Sequence, residues 1–193
     1  MENNVNKIIF ALLVLLTIAR QAPARMLSAP EIILPVPELQ ANQVAVIVNT
    51  QDPLSKRIGE YYQKVRNIPK ENMISVSIPL EQSSLDPQKF TKIKEYVDSQ
   101  LQSRIQAITL TWASPYRVGG MSITSAFTFG YDQAFTATGC NATKKSPLFN
   151  SNSTHPFDDL GLRPCMSIAT NDFETAQKLI DRGKESDGSW PKN

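Results

Sequence analysis

The chain has 193 residues, with 20 Lys and Arg against 18 Asp and Glu, for a formal charge of +2. That length supports one domain with a real core and is short for two. Basic runs are no longer than pairs such as Lys144-Lys145, which argues against a dedicated nucleic-acid binder, since such proteins carry a clustered basic face.

The N-terminus reads as an export signal. Lys7 precedes the apolar run Ile8 to Ala19, and Arg20-Gln21 and Ala22-Pro23-Ala24 follow. A run of about a dozen apolar residues suits a signal-peptide core and falls short of the ~20 that span a bilayer. The small-x-small pattern places a cut after Ala24. Residues 1–24 are then a signal peptide, and the mature chain is periplasmic or extracellular with no membrane span. A retained anchor is the alternative. Residues 25–41, with Pro30, Pro35 and Pro37, read as an extended arm.

The α/β domain is expected over 42–185. Asn42 to Thr50 places Val44, Val46 and Val48 on one face and Ala45 and Ile47 on the other, the pattern of a central strand covered on both sides. Asp52-Pro53 opens a helix, with Asp52 as cap and Pro53 pre-set for the first turn. Leu54, Ile58, Tyr61 and Val65 form its apolar stripe, and the helix stops near Asn67 because Pro69 biases Ile68 away from helical geometry. Strand two is Met73 to Ile78. Asp86-Pro87 repeats the helix-start device, and Phe90, Ile93, Val97 and Leu101 line the second helix.

Strand three, Ile105 to Trp112, leads into the stretch around which the chain is organised. It breaks at Ser114-Pro115, turns through Gly119-Gly120 and resumes with small hydroxyl and aromatic residues to Asp132. Residues 132–164 then lose apolar periodicity and read as an inserted surface loop. Strand four is Cys165 to Ala169. A helix opens near Asn171-Asp172 with Phe173, Ala176 and Ile180 inward, ending at Gly183, and 186–193 form a frayed tail. This order implies a mostly parallel Rossmann-like or flavodoxin-like sheet with helices on both faces. If strand one lies between strands two and three, Asn49 to Ser55 and Ala113 to Ser122 flank the switch point where such sheets bind ligands.

Three stretches, VIVNTQDPLSKRIGEYYQKVRNIPKENMISV, ITLTWASPYRVGGMSITSAFTFGYD and SPLFNSNSTHPFDDLGLRPCMSIATNDFETAQKLIDRGKESDGSWP, together resemble a family of exported bacterial proteins. The family's occurrence follows exosortase, the sorting system for proteins with a C-terminal Pro-Glu-Pro signal. The resemblance implies an envelope setting and supplies no activity. Members continue into a Gly-rich second half, so a truncated or short form is expected here. Many carry Cys before Met-Ser-Ile-Thr, where this chain has Gly120. A weaker likeness joins the order strand, Asn, Asp-Pro-x-Ser, Tyr-Tyr helix, Ile-Pro, strand to gingipain-like peptidases of the caspase-like fold. Those enzymes place a His-Gly after one strand and a nucleophilic Cys after the next, whereas Ala113-Ser114-Pro115 follow strand three here.

Candidate chemistry gathers at the strand ends. Asp52, Ser55, Ser114, Tyr116 and Arg117 are the candidate ligand-binding residues, with Arg117 able to grip a carboxylate or phosphate. The free N–H groups of the helix opening at Pro53 also favour an anion. The competing reading makes Asp52 a plain cap and pairs Arg117 with a local acid such as Asp52. Ser122, Thr124 and Ser125 lack a nucleophile elbow and a second histidine, so they read as caps of a packed helix start. His155 reads as inert. Asp132, Asp158 and Asp159 read as solvated acids, because no Ca²⁺-loop spacing is present. No catalytic residue, cofactor or metal is assigned. Export would favour a Cys140–Cys165 disulfide, contributing roughly 3 kcal/mol if unstrained. The leading expectation is an exported domain that binds a small anionic ligand or an envelope protein, not nucleic acid. The alternative is the N-terminal half of a caspase-like hydrolase whose catalytic residues lie beyond this chain.

Overall fold

Four parallel strands make the main sheet of the computed structural model, which describes residues 39–137 and 139–187. They are β1 (Val44–Asn49), β2 (Met73–Val76), β4 (Ala107–Leu110) and β7 (Cys165–Ser167), in the order β2-β1-β4-β7. The proposed signal peptide and all but the last residues of the arm lie outside the described residues. The expected central place of strand one is found: Val46 lies opposite Met73 and Val44 opposite Ala107. β1 is apolar on both faces because both are covered. Ala45 and Ile47 join the larger core cluster, while Val46 and Val48 join another with Ile68.

One face carries α1 (Pro53–Val65) and α5 (Phe173–Glu185). Asp52 caps α1 by accepting from the Leu54 N–H at 2.9 Å, and Asp172 caps α5 by accepting from the Thr175 N–H at 2.8 Å. The stripe of α1 meets that of α5 around buried Ile58, Ile168, Ala176 and Ile180. Tyr61 sets its ring edge-on to Phe173 and donates to Asp181 at 2.6 Å. The other face carries α2 (Pro87–Gln100), capped by Asp86, and the short α3 (Ile123–Phe129), capped by Ser122. Phe90 and Phe127 meet edge-on beneath it at 5.1 Å. The sheet is therefore doubly covered, as its sequence pattern requires.

Several details depart from the sequence reading. A second, three-stranded sheet of β3 (Ser84–Leu85), β5 (Arg117–Val118) and β6 (Met121–Ser122) is too short to leave a periodic signature. β5 and β6 form the hairpin at Gly119-Gly120, where Gly119 adopts a positive φ of 53°. The insert is not structureless: α4 (Pro156–Leu160) is pinned by Gln106, which accepts from the Phe157 N–H and donates to Asp158. Gly183 does not end α5, which runs on to Glu185.

Two helical glycines have opposite meanings. A Cβ on Gly59 would stand 2.3 Å from Val48 Cγ1, so α1 can lie this close to β1 only with glycine there. A Cβ on Gly183 would meet only the tip of Arg66, at 3.1 Å. Gly59→Ala is expected to lower stability by about 1–3 kcal/mol through overpacking. Gly183→Ala should be neutral or raise it by up to about 1 kcal/mol through helix propensity. Urea unfolding of the two variants checks both signs; equal effects would show that the α1–β1 contact yields freely.

Candidate functional site

The C-terminal edge of the main sheet is where the strand ends converge, and buried polar side chains tie it together. Asn49, fully buried at the end of β1, donates through Nδ2 to the Ile78 carbonyl at 2.8 Å. Its Oδ1 accepts from the Ile78 N–H at 2.9 Å and the Gln51 N–H at 3.2 Å. Ser55 Oγ accepts from the Asn49 N–H at 2.9 Å and lies 2.8 Å from Thr111 Oγ1. Thr111 in turn lies within hydrogen-bond reach of the Ile47 and Ser55 carbonyls. The loop after β1 is thus locked to the end of β4 on one side and to the segment after β2 on the other.

Beyond β4 the chain turns towards that same post-β2 segment. The indole of Trp112 donates to the Pro115 carbonyl at 3.2 Å, across the cis Ser114-Pro115 bond. Ser114 Oγ donates to the Gln82 carbonyl at 3.1 Å, and the Tyr116 N–H donates to the Ser83 carbonyl at 3.2 Å. These bonds start the small sheet. Val118, cross-strand from Leu85 and Met121, faces the core and anchors it. Arg117, one residue earlier, faces out and lies between Ser84 and Ser122 in the cross-strand register. Directly opposed residues share a face, so one guanidinium and two hydroxyl-bearing residues form a row across three strands.

The five candidate residues are consequently divided. Ser55 is buried and belongs to the interior network, out of reach of a ligand. Asp52 fills the N-terminal end of α1 with its own carboxylate, so that end does not offer an open anion site. Ser114 is engaged with Gln82. Tyr116 and Arg117 remain available: Tyr116 is 56% exposed, and the guanidinium stands 5.7 Å from its ring. The alternative pairing of Arg117 with Asp52 is not made, and Arg117 forms no ion pair with any described residue. The roles of Asn49 and Thr111 escaped the sequence reading. A polar Asn ending an otherwise apolar strand was the available signal.

The remaining candidates are dispersed. Ser122, Thr124 and Ser125 bond to one another at the start of α3, and His155 meets Thr154 at 3.1 Å. Asp132 accepts from the Ala134 N–H and pairs with Lys144; the backbone bond first, and then the lysine, hold its carboxyl below its ordinary value. Asp158 bonds Gln106, and Asp159 accepts from Ser153. Among the described residues no group of three or more His, Cys, Asp or Glu is placed to hold a metal ion, and no helix is long and apolar enough to cross a membrane.

The expected Cys140–Cys165 bridge is not formed; both are free thiols. Cys140 lies exposed in the insert. Cys165 is held in β7 opposite Ile108, packs against the core, and donates its N–H to Thr128 Oγ1 at 3.0 Å. Burial pushes the Cys165 thiol up to about 12, so it stays protonated and unreactive near neutrality. At pH 8, iodoacetamide should modify Cys140 first and Cys165 at least about a hundredfold more slowly. Equal rates, or a linked Cys140–Cys165 peptide in the mass map, would contradict this placement.

No protein-family model, curated protein or solved structure matches the chain.

Proposed function

We propose that this chain is an exported α/β domain of the bacterial cell envelope that binds an anionic group, a carboxylate on a small ligand or on a partner protein, through Arg117 and Tyr116. The observation that carries the reading is the state of Arg117: exposed, on a strand anchored by buried Val118, and without a carboxylate partner among the described residues. A planar guanidinium held on a short strand is pre-organised for bidentate capture of a carboxylate. Tyr116 adds an exposed ring and hydroxyl beside it. The envelope setting rests on the signal-like N-terminus and on the resemblance to exosortase-associated proteins.

Binding is preferred to hydrolysis on the chemistry of the strand ends. The gingipain-like comparison would call for a histidine and a cysteine after successive strands. Ala113-Ser114-Pro115 follow β4, and Ile168-Ala169-Thr170 follow β7. The hydroxyls nearest Arg117 bond to one another or to backbone.

Arg117→Ala tests the reading against short peptides with free or amidated C-termini, followed by amide chemical shifts. The free-carboxylate form should bind at residues 116–117 and weaken about tenfold or more in the variant. The melting temperature should stay nearly unchanged, since an exposed, unpaired Arg contributes little to the fold. A loss of more than about 1 kcal/mol of stability with binding unaltered would assign Arg117 a packing role instead.

A further inference from the structure

The outer edge of β2 is unpaired among the described residues, because β2 ends the sheet order and bonds only to β1. The Thr50 N–H donates to the Val76 carbonyl at 2.7 Å. Ladder bonds to one neighbour fall on alternate residues of a parallel strand. Ile74 and Val76 therefore bond towards β1, and the main chain of Ser75 faces outward. Natural edge strands are usually blocked by a charge, a proline or a bulge. The sequence of β2, Met73-Ile74-Ser75-Val76, contains none of these.

Two cavities flank this edge on opposite faces of the sheet, and Ser75 lines both. On the α1 side, about 400 Å³ lies over an apolar floor of Val48 and Met73, rimmed by Lys56 and Lys70. On the α2 side, about 210 Å³ lies against Ile93 and Tyr96, with Lys92 at its rim. None of these three lysines forms an ion pair among the described residues, and Glu60 is the one acid lining either cavity.

We infer that the edge of β2 is a docking site for an extended, acidic polypeptide segment of a partner protein, which adds as a fifth strand. An added strand sends alternate side chains to opposite faces. One set enters the α1-side cavity and the other the α2-side cavity, while its main chain bonds to Ser75. This is the division of labour seen when a peptide augments a sheet: backbone bonds hold it and flanking pockets select it. The lysine rims select acidic side chains. A second copy of this chain is disfavoured as occupant, because edge-to-edge pairing would set the same lysines against each other.

The test uses the full chain and a synthetic strand-forming peptide, acetyl-Thr-Val-Glu-Val-Glu-Val-Thr-amide, with a counterpart carrying Lys for Glu. Its termini are blocked, so the only carboxylates it could present to Arg117 are its Glu side chains, and the site of amide protection tells the two surfaces apart. Binding of the acidic peptide should slow hydrogen exchange at the Ser75 amide about tenfold or more. Ser75→Pro removes that outward N–H at an edge position that tolerates proline and should abolish binding. Should that variant fail to fold, Lys56→Glu/Lys70→Glu, which changes only exposed side chains, should weaken the acidic peptide about tenfold and strengthen the basic one. An unprotected Ser75 amide at millimolar peptide would overturn the inference. So would protection that shifts to Cys165–Ser167 or Arg117, indifference to the lysine reversal, or self-association through β2 without peptide. Arg117→Ala should leave this binding intact, which separates its failure from that of the Arg117 reading.

Discussion

The structure depends on how β1 ends. Asn49 is completely buried, yet every polar atom of its side chain has a partner: the carbonyl and the N–H of Ile78, and the N–H of Gln51. Its own N–H is taken by Ser55, which is tied to Thr111. A buried amide without partners would cost a few kcal/mol; here the same atoms join four chain segments at the sheet's C-terminal edge. The route of the chain after β2 and the packing of α1 onto β1 follow from this junction. So does the meeting of the post-β2 segment with the turn after β4, which puts Arg117 on a firm strand.

What was legible in the sequence was whatever repeats. The alternation Val44 to Val48, the Asp-Pro helix openings at Asp52 and Asp86, and the stripes ending at Val65 and Leu101 each report a regular element. Together they imply the parallel, doubly covered sheet. The strand order β2-β1-β4-β7 was conditional in the sequence and is resolved by pairing. The two-residue strands at Ser84 and Arg117 left no trace, because pairing and not periodicity makes them strands. Ser55 misled for a related reason: a serine three residues after a capping Asp looks exposed, and only tertiary contact turns it inward. The cysteines misled because compartment and count say nothing about which way a side chain points.

The two proposed binding surfaces draw on different physics. At Arg117 the signal is electrostatic, a cation without a counter-charge among the described residues, on a strand anchored by buried Val118. At β2 it is a main-chain edge unpaired among the described residues, with hollows on both faces that Lys56, Lys70 and Lys92 help to line. The interior of the Asn49 junction is buried and internally bonded, closed to ligands.

Asn49→Leu tests the central claim most directly, read by urea unfolding together with hydrogen exchange at the Ile78 amide. The substitution keeps the branched shape with somewhat more volume and strands the Ile78 N–H, the Ile78 carbonyl and the Gln51 N–H. The account predicts a loss of about 3 kcal/mol or more and an Ile78 amide that exchanges well before global unfolding. A loss below about 1 kcal/mol with Ile78 still protected would contradict it, and would show that the strand ends are held by packing alone.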